Sequence, residues 1–167
     1  MKKFLLIAVM AVLGAVSTQA QVKLGGEVKV WYHTDAEVTS YALMPEIGYK
    51  FNNKWEAGAQ IGFAGVGDDA FSFIFSPYGR YTIYKSGIFS FFGEGGFAVG
   101  AAKHRDTGFQ IGLRPGVEVE LGKHWCMEAH LGFLGFSAND DKVPGLVHSG
   151  VGFDFANGAS FSLMYEF

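Results

Sequence analysis

From position 109 to 121 the odd residues read Phe109, Ile111, Leu113, Pro115, Val117, Val119 and Leu121. The even residues between them read Gln110, Gly112, Arg114, Gly116, Glu118 and Glu120. Strict period-two alternation puts one apolar and one polar face on an extended strand, because successive side chains leave opposite sides of the backbone. The pattern recurs along almost the whole chain. It predicts strands over 22–33, 41–51, 55–65, 71–84, 88–102, 108–121, 125–137 and 150–167, and no stretch after the first twenty residues is apolar enough for a membrane helix. The fold class expected is all-β, an eight-stranded antiparallel up-and-down barrel.

The segment before the first strand has another character. Met1, Lys2 and Lys3 precede an apolar run over 4–16, interrupted by Gly14, and Thr18-Gln19-Ala20 supplies small residues for a cut after Ala20. That is the layout of a secretory signal peptide. The expected organisation is a leader over 1–20 and one barrel domain over 21–167. No cysteine follows the cut, which argues against a lipoprotein. Cys126 is the only cysteine, so no internal disulfide staples this small exported domain. Lys and Arg number 13 against 16 Asp and Glu, and losing Lys2 and Lys3 makes the balance more acidic. No basic patch invites nucleic acid.

The connections alternate in kind. Asn52-Asn53-Lys54, Lys85-Ser86-Gly87 and Gly122-Lys123-His124 are tight, each with one lysine. The segments 34–40, 66–70, 103–107 and 138–149 are longer and carry Asp35, Asp68, Asp69, Asp106, Asp140 and Asp141. Short turns at one end and longer loops at the other is the asymmetry of outer-membrane barrels. Pro45, Pro77 and Pro115 stand at matching distances before the lysine turns. A proline cannot donate to a sheet ladder, so a bulge is expected at each.

Volume decides which face points outward. An eight-stranded barrel is just wide enough inside for side chains to fill it. The apolar face, with Tyr49, Phe51, Trp55, Phe73, Phe75, Phe91, Phe109, Trp125 and Phe133, is too bulky for that space. The polar face carries glycines, among them Gly25, Gly48, Gly58, Gly62, Gly96, Gly112, Gly116 and Gly132. The greasy face should therefore turn out, an arrangement suited to lipid rather than to water. Ile74, Phe92, Leu134 and Phe136 break the pattern and are expected to pack inside. Aromatics near the short turns and again near the long loops suggest two girdles.

Leader, alternating strands, Pro-x-x-x-Tyr hairpins and the segment Phe161-Ser162-Leu163-Met164-Tyr165-Glu166-Phe167 together resemble the small outer-membrane β-barrel domain proteins of the OmpX and OmpA-barrel type, in the porin-like superfamily. The resemblance implies a cell outer membrane location after Sec export. It implies outer-membrane lipids and lipopolysaccharide as surroundings and a barrel-assembly machinery that reads Tyr165 and Phe167. No periplasmic peptidoglycan-binding domain is expected, and the barrel is expected to be a monomer.

The inward face carries the ionisable residues. Pairing strands about each connection sets Lys29 opposite Glu46, Lys50 opposite Glu56, Glu56 opposite Arg80, and Glu94 opposite Arg114, while Glu118 and Glu128 face each other across the last tight turn. These residues are expected to form a salt-bridged plug in place of an apolar core. His148 and Ser149 are adjacent, unlike the His-x-Ser spacing of outer-membrane lipid A deacylases, and His33, His124 and His130 lack metal-ligand spacing. The paired loop aspartates read as solvated turn residues. The reading is therefore a non-enzymatic envelope protein without cofactor or metal, in a structural or surface-interaction role. A narrow porin-like channel is the alternative, and a lipid-modifying enzyme stands behind both.

Overall fold

The computed structural model describes residues 21–33, 38–66, 70–102, 107–140 and 143–167. Eight strands follow one another: β1 (Gln21–His33), β2 (Val38–Lys50), β3 (Trp55–Val66), β4 (Ala70–Ser86), β5 (Phe89–Ala102), β6 (Gly108–Glu120), β7 (Trp125–Ala138) and β8 (Gly150–Glu166). Each pairs antiparallel with the next, and β8 returns to β1, so the sheet closes as an up-and-down barrel. Boundaries differ from the sequence reading by three residues or fewer, the largest shift being the start of β2 at Val38. The expected leader and the loop residues Asp35, Asp68, Asp69, Asp106 and Asp141 lie outside the described residues.

The tight turns form as their residues suggest. Asn52 accepts the amides of Lys54 at 2.8 Å and Trp55 at 3.0 Å through its side-chain oxygen, the local bonding that favours Asn in turns. Between β4 and β5, Gly87 has φ of 58°, the left-handed conformation that a two-residue hairpin demands and glycine supplies cheaply.

The polar face is inside. Lys23, Glu46, Glu56, Gln60, Arg80, Glu94, Glu118, Glu128 and His130 are all buried, while Leu43, Ile47, Phe73, Phe75, Phe91, Ile111 and Leu131 are exposed around the wall. Aromatic pairs gather at the short-turn end, with ring centroids 4.8 Å apart for Trp55–Tyr81, 5.1 Å for Trp125–Tyr165 and 4.9 Å for Tyr165–Phe167. Toward the long loops, Phe63 meets Phe73 at 5.6 Å and Phe97 meets Phe109 at 6.3 Å.

Four expectations need correction. Ile74 and Phe92 do pack inside, but Leu134 and Phe136 are exposed. The register between β7 and β8 shifts between Leu131 and Phe133, and Gly132 sits there with φ of 117°. Against β6, four steps of β7 from His130 to Leu134 match three steps from Gly116 to Leu113, and this one extra residue exchanges the faces of everything beyond it. Phe133, assigned outward from parity, therefore turns in, and its ring fills the space a side chain at Gly112 or Gly135 would occupy.

The bulge expected in each proline strand is not found: beside Pro115 the register to β7 shifts between Leu113 and Gly116, but the extra residue is on β7. At Pro45 and Pro77 the pairing to the next strand lapses without a change of register, passing from Leu43↔Phe63 to Glu46↔Gln60 and from Phe75↔Val99 to Tyr78↔Gly96. A missing N–H breaks the ladder locally but does not require an added residue. Lys29 stands opposite Ala42, not Glu46; the β1–β2 connection is tighter than symmetric pairing assumed, and the Lys29 side chain lies outside the described residues. The other expected oppositions, Lys50↔Glu56, Glu56↔Arg80, Glu94↔Arg114 and Glu118↔Glu128, are found.

Gly132→Ala is expected to lower unfolding stability in denaturant titrations by about 1–3 kcal/mol, the cost of a side chain at positive φ. Its Cβ would also lie 2.6 Å from the Asp154 carbonyl oxygen. An unchanged midpoint would show that the bulge is not fixed by this glycine.

Candidate functional site

Two cations organise the interior. Lys23, on β1, is fully buried. Its ammonium is hydrogen-bonded to Glu118, lies 2.5 Å from Glu128 and lies 3.3 Å from Glu56. Arg80, on β4, reaches Glu94 at 2.8 Å, Glu128 at 2.8 Å, Glu56 at 3.2 Å and Glu46 at 3.4 Å. Glu56 and Glu128 are thus shared between Lys23 and Arg80. The guanidinium lies over two inward rings, 5.0 Å from the centroid of Tyr78 and 4.3 Å from that of Phe92, where the ring faces attract a cation.

The carboxylates have further partners. Glu46 accepts from Gln60 at 2.7 Å and from the Tyr78 hydroxyl at 2.5 Å. Glu94 lies 3.1 Å from the His130 ring and 3.6 Å from Arg114. Room for these side chains comes from glycines: a Cβ at Gly58 would stand 2.4 Å from the Tyr78 hydroxyl oxygen, and one at Gly116 would stand 2.3 Å from the Phe92 ring. Glu118, Cys126 and Glu128 converge closely enough to hold a metal ion, but the Lys23 ammonium already bonds both carboxylates there. A protein cation takes the place a metal would need.

Below this layer, toward the tight turns, Lys50 pairs with Glu166 at 2.9 Å and Glu118 at 3.4 Å, at the edge of a vestibule of about 320 Å³. Lys85 and Glu120 pair at the exposed rim, 2.5 Å apart. Above the layer is a larger cavity of about 550 Å³. Its walls differ: β2, β3, β4 and β5 contribute Ala42, Met44, Ile74 and Ala98, with Gln60 and Ser76 among them, whereas β6, β8 and β1 contribute Gln110, Arg114, Asp154, Ser160 and Glu27.

Its roof comes from the β7–β8 connection, a longer loop whose residues 145–148 line the cavity. Asn139 is buried and holds the connection from both sides. Its side-chain oxygen accepts the Val143 amide at 2.7 Å, and its side-chain nitrogen donates to the Val147 carbonyl at 3.2 Å. Ser72 and Ser137 donate to the carbonyls of Pro144 at 2.9 Å and Val147 at 2.7 Å, and the Val147 amide donates to Gln110 at 3.0 Å. Val143 is buried, and Gly145 lies so close to Ile74 that a Cβ would be 2.4 Å from its methyl. Ser149 accepts the Asn139 amide at 2.6 Å, while its neighbour His148 is exposed. The serine hydroxyl anchors this connection.

Of the plug residues read from the sequence, Glu46, Lys50, Glu56, Arg80, Glu94, Arg114, Glu118 and Glu128 come together. Lys23, Tyr78, Gln60 and His130 are equal members that pairwise hairpin reasoning did not bring in. Period two sets Lys23 and His130 on the inward face, but their partners lie across the barrel and only closure reveals them. The inward connection had a signal as well: Val143-Pro144-Gly145-Leu146-Val147 is apolar for a solvated loop. Comparison with protein-family models gives no match, and comparison with curated proteins gives none, so the geometry itself bears on function.

Lys23→Met is expected to destabilise the barrel by about 3–5 kcal/mol, because Glu118 and Glu128 lose the charge between them. Adding Glu118→Gln should recover part of that loss in equilibrium unfolding; strictly additive losses would contradict the pairing. For the roof, Asn139→Ala should leave the barrel folded while making the 143–149 connection much more readily cleaved by added protease. Equal cleavage rates would show that Asn139 does not hold it.

Proposed function

We propose that this chain is an integral outer-membrane barrel of the OmpX and OmpA-barrel type, closed across its axis, with a structural or surface-interaction role at the cell envelope. The observation that supports this most is the belt of large apolar side chains exposed around a closed sheet. Water would penalise such a continuous surface heavily. A bilayer suits it, because a closed barrel satisfies backbone groups between neighbouring strands. The aromatic pairs at the turn end and near the long loops sit where girdles at two interfaces would be.

In this reading the turns with Lys54, Lys85 and Lys123 face the periplasm and the β7–β8 connection faces outward. Tyr165 and Phe167 serve assembly. The Lys23–Arg80 layer favours a barrel that does not conduct: a continuous water path would have to part charges that now neutralise one another. No catalytic role is assigned to His148 and Ser149.

Two measurements test the proposal. Fractionation of the expressing cell should find the protein in the outer membrane, with unheated samples migrating as a compact form; recovery as a soluble periplasmic protein would refute the location. Purified protein in planar bilayers should give no steady conductance. A stable pore in the unmodified protein would favour the channel alternative.

A further inference from the structure

The barrel wall does not close evenly. β1 pairs with β2 along its whole length, from Gln21↔Lys50 to His33↔Val38. With β8 it pairs from Lys23↔Glu166 to Gly26↔Leu163, and among the described residues the pairing stops there. Both strands continue upward, β1 to His33 and β8 back to Gly150, each still bonded to its other neighbour. Each strand carries an irregularity near the parting. On β1, Gly26 has φ of 148°. On β8, the register against β7 runs from Leu131↔Ala159 to Phe133↔Asp154, which throws extra residues of β8 into a bulge. Two strand edges, with backbone N–H and C=O groups, therefore border a seam over the loop-side half of the wall.

Exposure at the seam agrees. Val28 is 71 % exposed, Phe153 71 % and Phe161 65 %, whereas Phe73 and Phe91, within continuous sheet, are each 45 % exposed. A side chain with a strand on only one side is covered on only one side.

The cavity above the plug lies behind this seam. Glu27 of β1 and Ser160 of β8 both line it. The charged layer lies across the axis below the cavity, and among the described residues the Asn139-held connection covers it from above. In a bilayer, backbone outside regular pairing is tolerated only where it is buried in protein or lines a water-filled cavity. We propose that the β1–β8 seam is a lateral portal through which a single-chain anionic amphiphile dissolved in the bilayer enters the cavity. The inference rests on the membrane reading above.

The lining offers an apolar wall and a cation, with the carboxylates of Glu27 and Asp154 on the same polar side. Met44, Ile74 and Phe133 offer an apolar wall for a chain. Arg114 borders the cavity with its side chain 22 % exposed; it donates to Ser160 at 3.1 Å and pairs with Glu94 at 3.6 Å. A guanidinium carries five N–H donors, more than the Ser160 and Glu94 contacts use. The volume of about 550 Å³ lies within the range of about 300–1,000 Å³ usual for small-molecule sites. Backbone edges at the seam supply hydrogen bonds to the head as it passes.

The native methionines make the test possible without a reporter mutation. Met44 lines the cavity, Met164 is fully buried at the closed part of the seam, and Met127 is exposed on the wall. The protein is placed in lipid nanodiscs with ¹³C-labelled methionine methyls, and a saturated fatty acid is titrated in. The Met44 methyl should shift saturably while Met127 and Met164 stay still. The matching fatty alcohol should need a severalfold higher concentration, because it lacks the charge for Arg114. A short two-chain phospholipid should leave Met44 unmoved. Val28→Cys/Phe161→Cys, in a Cys126→Ser background, joins positions that would face each other if pairing continued. Its disulfide should abolish the Met44 response, and reduction should restore it.

Equal response to acid and alcohol, response to the phospholipid, or a response that survives the closed disulfide would overturn the proposal. Backbone amide exchange supplies a readout independent of the cross-link. Amides of β1 beyond Gly26 that face β8 should exchange far faster than β4–β5 amides at the same height, and equal protection would mean there is no seam. Failure to enter nanodiscs at all would count against the membrane reading instead.

Discussion

The barrel turns on one buried arrangement, in which the ammonium of Lys23 and the guanidinium of Arg80 share Glu56 and Glu128. These four residues come from β1, β3, β4 and β7, so the bonds run across the lumen as well as along the sheet. Lys23 does most to close the ring. It stands on the first strand, pairs in register with Glu166 on the last, and holds carboxylates from β6 and β7. Such a layer is not strong evidence of net stability, because burying charge is costly and the attraction only repays it. Its clearer contribution is specificity. A register slip by one residue would carry these charges to the outer face, a far worse place for them.

The same logic explains the composition. A narrow barrel whose wall is apolar outside must fill its inside with what remains, and here that is charge, aromatic rings and space. Tyr78 and Phe92 flank Arg80, and glycines opposite them leave the room they need. Above the layer the filling changes. Phe133 enters through the bulge at Gly132, and the β7–β8 connection folds inward, yet a two-faced cavity remains between them. The interior is thus a polar plug with a chamber on its loop side, which is a different object from a uniformly packed core.

Much of this was legible because period two is unambiguous where each strand keeps it. Strand positions, tight turns, the inward polar face and three of the four nearest-neighbour charge oppositions followed from alternation and short connections. The misplacements on β7 share one cause. Alternation cannot report a bulge, so Leu134, Phe136 and Phe133 were placed on the wrong faces beyond Gly132. Symmetric pairing likewise cannot find the register across a longer connection, which is why Lys29 was set against Glu46. Contacts across the lumen, such as Lys23 with Glu118, depend on closure and have no signature in any one hairpin. The parting of β1 from β8 is of the same kind: it accompanies local irregularities, at Gly26 and in β8, that composition does not announce.

If the Lys23–Arg80 layer is the closed centre of the structure, its protons should be sheltered from water. The most direct measurement is ¹⁵N-detected exchange of the Arg80 Nε–H in lipid nanodiscs at neutral pH. Exchange slow enough to give a resolved signal, with through-space contacts to the Tyr78 and Phe92 rings, is the expected result. Exchange as fast as that of an exposed guanidinium, without those contacts, would mean the lumen is open to water and the charged layer is not a plug.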